Sequence, residues 1–271
     1  KDPRYGLLKG GYGTYDFDDY SYIEGEIEWC STEHQCSALQ GLEGCSLVLN
    51  VKKYKEAAEL IRDQLYFKLY DAENGRFFQG ISAAPDSAWA LDCTTWAGIT
   101  AFSILNKECS FACENAAKNE YLTEEKFIVQ SGEQDYYNQR YASSRSFSGF
   151  KPYSDRDGGY TGSPDIVWTE GTLGYAALAL LLGHGDEAKT YVDECIALQE
   201  IENGTGGVLY VTATHAQLPW EFHVWESVVS SAWLYLLIKN PDVLFPKTLR
   251  QVYYMARITN IQSNGGKEND E

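Results

Sequence analysis

The stretch PDIVWTEGTLGYAALALLLG, residues 164–183, decides the fold. From Leu173 to Leu182 its side chains are apolar or small on every side, and a helix without a polar stripe is buried all round. Yet it opens with Trp168, Thr169 and Glu170. A carboxylate is costly to bury unless something there engages it. This helix therefore reads as an inner wall whose first turn floors a pocket.

Three more segments have the same character: 31–49 (STEHQCSALQGLEGCSLVLN), 88–105 (AWALDCTTWAGITAFSIL) and 223–238 (HVWESVVSSAWLYLLI). Helices of another kind lie between them. VKKYKEAAELIRDQLYFKLY (51–70) gathers Val51, Tyr54, Ala58, Ile61 and Leu65 on one stripe. DEAKTYVDECIALQE (186–200) does so with Ala188, Tyr191, Val192, Cys195 and Leu198. These are amphipathic, one face wet. A less regular candidate, KECSFACENAAKNEYL, follows the second buried helix.

A unit of one buried and one amphipathic helix, repeated, predicts a closed or superhelical array. The expected class is all-α, an α/α toroid with short β-hairpin loops in connections such as AENGRFFQGIS and NGTGGVLYVTAT. One domain is expected over 1–271: an acidic, Gly- and Tyr-rich opening (1–28), hairpins (29–240), and a closing helix with a polar tail (241–271). Residues 131–165 are too many for a mere connector.

The first carboxylates of the four buried helices are Glu33, Asp92, Glu170 and Glu226, each with a nearby tryptophan: Trp29, Trp89, Trp168 and Trp225. Inner helices of a toroid run parallel, so their N-termini share one mouth. Capping and dipole compensation explain a single acid at such a position. Four acids with four tryptophans suggest more, an aromatic-walled acidic pocket suited to glycosidic bond cleavage. That chemistry needs one carboxyl kept protonated and a second that activates water or attacks the sugar. Packing against tryptophan raises an acid's pKa by desolvation. Glu170 is thus the first catalytic candidate, Glu33 the second and Asp92 the third. Trp29, His34, Trp89, Asp165, Trp168, Trp220, Glu221, Trp225 and Glu226 are the candidates for binding substrate.

The segments WCSTEHQCSALQGL, ALDCTTWAGITAF, DIVWTEGTLGYAALALLLG and WEFHVWESVVSSAWLYLL together resemble the six-hairpin glycosidase superfamily, the (α/α)6 barrels, over residues 29–240. The resemblance implies an active site in a central funnel, a carbohydrate substrate, and inversion as the commoner outcome. It assigns no catalytic pair. Four buried helices fall short of six, and two further hairpins would need about a hundred residues. Either a missing N-terminal segment completes the ring, or the opening segment and the tail, with FPKTLRQVYYMARI as a closing helix behind Pro246, close it differently.

Composition narrows the partners. A formal charge of -17 disfavours nucleic acid, anionic membranes and polyanionic substrates. No stretch is long and apolar enough to span a membrane. Seven cysteines, an odd number set mostly in helical patterns, read as reduced thiols of a cytoplasmic or anaerobic extracellular setting. No metal or cofactor is expected. Cys109 and Cys113 lack a partner pair for zinc, DRDGG (155–159) has Ile166 where a calcium loop needs Glu, and no phosphate-binding glycine motif occurs. A looser calcium site at Asp155 and Asp157 stays open, and His184 in GHGD reads as a helix C-terminal residue. Two other functions remain: a toroid that binds glycan or protein without cutting, and a polysaccharide lyase, which needs cations opposite the uronate.

Overall fold

Helix signals and turn signals alternate along the chain, and the structure, a computed structural model, follows them. It describes residues 2, 4–16, 18–104, 106–125, 141, 143–156, 164–217 and 220–245. The FPKTLRQVYYMARI segment from Pro246 onward, Asp157, and most of 131–165 lie outside the described residues.

Seven α-helices occur among the described residues: α1 (Thr32–Leu49), α2 (Lys52–Gln64), α3 (Leu91–Ile104), α4 (Lys107–Tyr121), α5 (Thr169–Leu182), α6 (Gly185–Gln199) and α7 (Val228–Lys239). The hairpins α1–α2, α3–α4 and α5–α6 each pack on themselves, and α1, α3, α5 and α7 pack in sequence as an inner row. This is an arc of an α/α toroid. The four segments read as buried helices form the inner row, and the amphipathic ones lie outside; α3 and α5 are buried as expected, whereas α1 and α7, at the ends of the arc, leave residues such as Val48, Leu49, Val228 and Tyr235 exposed. The less regular 107–122 segment is helical as well, burying Cys109, Cys113, Ala116, Ala117 and Tyr121. The expected 51–70 helix runs as α2 and then widens into a π-turn over Leu65–Leu69.

Short ladders pin the start of each inner helix. Strands β1 (Gly11–Tyr15) and β2 (Tyr22–Ile27) form an N-terminal hairpin; β3 (Cys30–Ser31) then leads into α1. After α2 come β4 (Tyr70–Asp71), β5 (Arg76–Phe77), β6 (Gly80–Ile81) and β7 (Pro85–Asp86), with β6 pairing antiparallel to β3. After α4, β8 (Leu122–Glu125) pairs with β9 (Phe147–Phe150), and Ala90 bridges Tyr153. After α6, β10 (Val208–Leu209) pairs with β13 (Glu226–Ser227), and Trp168 bridges Val211. Between them β11 (His215–Gln217) and β12 (Trp220–Phe222) make a ribbon.

A regularity underlies these pairings. The first four N–H groups of a helix have no partner within it. In three hairpins the first residue of the inner helix donates its N–H to a carbonyl beyond its own outer helix. The pairs are Thr32 to Gln79 O, Leu91 to Pro152 O and Thr169 to Tyr210 O, each at 3.0 Å. Each hairpin is thereby clamped at one end, and the clamped ends carry the inner-helix N-termini.

Small residues let the inner helices approach. A Cβ on Gly174 would lie 3.2 Å from Thr95 Oγ1, and one on Gly98 would lie 3.0 Å from both Cys113 Cβ and Leu178 Cδ2. Gly171 is tighter. A Cβ there would stand 2.6 Å from Leu91 Cδ2 and closer still to the Trp168 ring. Alanine at a helical glycine normally gains about 0.5–1 kcal/mol, whereas overpacking a core costs about 1–3 kcal/mol. Overpacking should win here, so Gly171→Ala is expected to lower the thermal midpoint; an unchanged or higher midpoint would show that α3 and α5 part easily.

Candidate functional site

The three clamps bring together the acids that the sequence places in successive first turns. Glu33 on α1 and Asp92 on α3 shift each other's ionisation, and both act on Glu170 of α5. Asp92 also accepts from the Cys93 N–H at 2.8 Å.

Two effects compete over these acids. Helix N-termini favour the charged form by about 0.3–1 kcal/mol, less than one pKa unit. Desolvation and mutual repulsion favour the neutral form, and they win. Glu170, half-buried, rises from its usual 4.5 to about 7, first by desolvation and then by the charges of Asp92 and Glu33. Glu33, although it keeps an exposed surface, also rises to about 7, by desolvation from the groups around it and by its neighbour Asp92. Desolvation raises Asp92 as well, against the bonds it accepts from Cys93 and Glu33. The titrations of Glu33 and Asp92 are thus linked, and the two carboxyls behave as a pair. Among the described residues, no lysine or arginine is a cause of these three shifts.

Helical spacing sets the wall beneath. One turn below Asp92, the Trp96 indole N–H donates to Ser37 Oγ on α1 at 3.3 Å, and its ring meets Trp233 of α7 edge-on at 5.3 Å. One turn further, Gln40 Nε2 donates to Thr100 Oγ1 at 2.9 Å. The acids therefore stand above an aromatic and amide floor. The neighbouring thiols are not nucleophiles: burial pushes Cys36 up to about 12 and Cys93 well above its usual range.

Two residues absent from the sequence-based candidates join the acids. Tyr210 stacks on Phe222 at 5.8 Å, and its carbonyl receives both the N–H and the Oγ1 of Thr169. Desolvation and then the Glu170 charge push its hydroxyl up to about 12. Trp168 Nε1 is buried and faces that hydroxyl without reaching hydrogen-bond distance. Gln79, the clamp residue of the first hairpin, has a buried Oε1 with no partner. The repeat was the available signal, because Gln79 in FFQG and Tyr210 in VLYV occupy the same place in their hairpins.

The other expected residues are dispersed. Trp29 lies against Gly80, His34 is exposed, and Trp168 packs on Gly171 at the start of α5. Trp89 is sandwiched between the guanidinium groups of Arg76 and Arg156, 4.0 and 4.8 Å from its ring. Asp165 lies 3.3 Å from Thr123 Oγ1 and 3.6 Å from Lys151 Nζ. Trp225 packs on His223, and its carbonyl receives the Tyr210 N–H. Glu226 corrects the four-acid alignment, since α7 starts two residues later. Its carboxylate accepts from the N–H groups of Thr205, Gly206 and Gly207 and from Thr205 Oγ1, which ties down a turn. Those bonds hold its pKa below the usual range, although desolvation opposes them. Trp220 and Glu221 enter the β11–β12 ladder through their backbones, and their side chains lie outside the described part.

A second polar group lies at the C-terminal end of α5. Glu114, His184 and Glu187 place three ligand-type atoms within 4.8 Å of one another. Lys118 already supplies the positive charge there, 2.8 Å from Glu187 and 3.4 Å from Glu114. His184 follows the left-handed Gly183 that ends α5, as a C-terminal residue should. Asp155, one of the two residues at which a looser calcium site stayed open, pairs with Lys151 at 2.6 Å. All seven cysteines are free thiols, six of them buried.

No protein-family model matches the chain, and no curated protein matches it. Among solved structures it is similar to an α-amylase from Clostridium perfringens, at 13% identity and a TM-score of 0.48 over 92% of this chain and 65% of that one. It is also similar to a family 76 glycoside hydrolase from a bovine Bacteroides thetaiotaomicron strain (11%, 0.46, 87% and 48%). A third is a family 105 glycoside hydrolase from C. acetobutylicum (12%, 0.47, 78% and 64%). The chain thus spans about half to two thirds of the length of the structures it matches.

The acids carry a stability signature. Glu33 and Glu170 hold their protons more tightly in the folded chain, so their contribution is complete below about pH 4.5 and is lost as pH rises through about 7. Glu170→Gln should match the parent's thermal midpoint at pH 4 and exceed it at pH 8, by about 2–4 °C for each kcal/mol released. An identical difference at both pH values would place Glu170 in the ordinary carboxylate range.

Proposed function

We propose that this chain carries the acid cluster of a glycoside hydrolase acting on a neutral oligo- or polysaccharide. The observation that supports it most is one acid raised to about 7, Glu170, beside a second pair of carboxyls, Glu33 and Asp92, whose titrations are linked. Hydrolysis of a glycosidic bond needs one carboxyl that holds a proton beside one that can take a proton.

In this reading Glu170, protonated near neutral pH, gives its proton to the departing glycosidic oxygen. Asp92, the charged member of the pair, takes a proton from the incoming water, with Glu33 orienting it. Both transfers must precede release, and the proton that Asp92 gains then restores Glu170 through solvent. The Tyr210 hydroxyl and the Gln79 amide are polar edges for sugar hydroxyls. The glycoside hydrolases among the similar structures make a carbohydrate a reasonable substrate class to test first.

Two observations weigh against a lyase. A tyrosine base needs a lowered pKa, and that of Tyr210 is raised to about 12. The charges that raise Glu33 and Glu170 come from other acids, whereas a lyase needs cations opposite the uronate.

The test is a screen of the purified chain on soluble glucans, mannans and xylans, reading reducing ends and binding together, with Glu170→Gln alongside. Wild-type cleavage is expected, and Glu170→Gln should lower it by about 100-fold or more while leaving binding in place. Wild-type turnover by the variant would reduce Glu170 to a helix-end carboxylate. Binding without cleavage by the parent would make the chain a recognition module.

A further inference from the structure

Buried polar atoms in a folded chain are almost always hydrogen-bonded, and each exception calls for a reason. Among the described residues, Gln79 Oε1 and Trp168 Nε1 are buried with no hydrogen-bond partner. A third atom without a hydrogen bond, Arg76 Nε, lies 3.4 Å from the Asp71 carboxylate. An unsatisfied buried atom destabilises a fold by more than a made hydrogen bond stabilises it. Gln79 and Trp168 nevertheless both adjoin the acid cluster.

The main chain fixes both residues there. The Gln79 carbonyl accepts from the N–H of Thr32, which precedes Glu33, at 3.0 Å, and from Sγ of Cys93, which follows Asp92, at 3.7 Å. Its N–H goes to Asp86 O at 3.3 Å. Gln79 thus borders the Glu33–Asp92 pair. Trp168 stands two residues before Glu170, donating its N–H to Phe150 O at 2.9 Å. Its carbonyl accepts from Thr172 N and Oγ1 at 2.9 and 2.8 Å. The indole is held as well: a Cβ on Gly171 would collide with it, and only 8% of the residue is exposed. Its Nε1 faces the Tyr210 hydroxyl, which senses the charge of Glu170.

The two atoms select by opposite needs. An indole N–H only donates, and an amide oxygen only accepts. Together they fit a ligand that brings a donor to Gln79 and an acceptor to Trp168. A hydroxyl can do either, so a sugar unit with free hydroxyls on two edges satisfies both. A methyl ether still accepts but has lost its donor. An ionised carboxylate has no donor either, and the three acids repel it. Atoms already held in place cost a ligand little ordering. A site built to bond a hydroxyl also rejects the analogue lacking it, because its buried atoms then stay unpaired.

Packing alone does not ask for an amide at position 79. Gln40, in the floor below the acids, shows the ordinary case, with its Nε2 donating to Thr100 Oγ1 at 2.9 Å. Gln79 Oε1 has no such bond, so an apolar side chain of similar length would suit the free fold better.

We propose that Gln79 Oε1 and Trp168 Nε1 are the specificity-determining atoms of the acid cluster: a free hydroxyl of a neutral sugar unit donates to Gln79, and an oxygen on its other edge accepts from Trp168. The choice of a sugar rests on the hydrolase reading, whereas the two unpaired atoms do not.

Affinity electrophoresis in gels containing soluble glucan, mannan or xylan, or their O-methylated forms, tests it. Thermal midpoints of the free chain and released reducing ends are read alongside. Gln79→Met removes the amide at similar length, Trp168→Phe removes the N–H and keeps a ring, and Gln40→Met removes an amide that has its partner. Gln79→Met should raise the midpoint by about 2–4 °C, whereas Gln40→Met should lower it. The parent should be retarded by at least one neutral polysaccharide, and less by its O-methylated form. Gln79→Met and Trp168→Phe should each lose about tenfold in affinity, and the methylation penalty should shrink in Gln79→Met. If Trp168→Phe unfolds, Gln79→Met decides alone. An unchanged or lower midpoint in Gln79→Met, parent-level affinity in a folded variant of either residue, an undiminished methylation penalty in Gln79→Met, or no retardation on any gel overturns the proposal. Affinity lost in Gln79→Met without hydrolysis by the parent would sink the hydrolase reading and leave this site standing; hydrolysis with affinity unchanged in both variants would do the reverse.

Discussion

One hydrogen bond, repeated, governs the arrangement. The opening N–H of α1, α3 and α5 goes to a carbonyl beyond the outer helix of the same hairpin: Gln79, Pro152 and Tyr210. A helix N-terminus must find acceptors outside itself, and here they always come from the same place in the repeat. Each clamp fixes where an inner helix starts, so first-turn side chains of three hairpins meet. Without that constraint Glu33, Asp92 and Glu170 would be three separate caps. With it they form one cluster whose members suppress one another's ionisation.

The cluster then shows how packing and electrostatics divide the work. Glycines at 98, 171 and 174 let α3 and α5 close on each other, and that closeness keeps the carboxyls partly dry. Dryness and repulsion outweigh the helix ends, which alone would keep all three acids charged. Glu226 is the contrasting case on the same molecule. Three backbone N–H groups and a hydroxyl satisfy it, and its pKa falls below the usual range. Proximity to a helix start does not decide an acid's role; the groups that surround it do.

Much of this was legible in the sequence, for identifiable reasons. A helix apolar on all sides, such as 173–182, has only one environment available to it, so the inner row could be read directly. Glu33, Asp92 and Glu170 followed from that row because each falls in a first turn. Glu226 did not, because the 223–238 segment reads as helix throughout, whereas Glu226 and Ser227 pair as a strand with β10. Tyr210 and Gln79 were hidden for a different reason. They sit in bends beside two-residue strands, too short for a periodic signal, and only the comparison of hairpins reveals their equivalence. The β1–β2 ribbon was obscured by glycines that dilute its alternation, although one of them, Gly13 at φ +80, leaves the space that the Tyr22 ring fills.

The central claim is that a helix-end carboxyl at position 170 titrates far above its usual range because it is desolvated and two other acids stand beside it. Carbon-13 NMR of side-chain-labelled glutamate, with Glu170 assigned through Glu170→Gln, reads that ionisation directly and requires no substrate. A midpoint at about 7 is predicted, moving down when Asp92 is replaced by Asn. A midpoint near 4.5 that ignores Asp92 would mean that the three acids are independent caps, and the account of the site would fail with it.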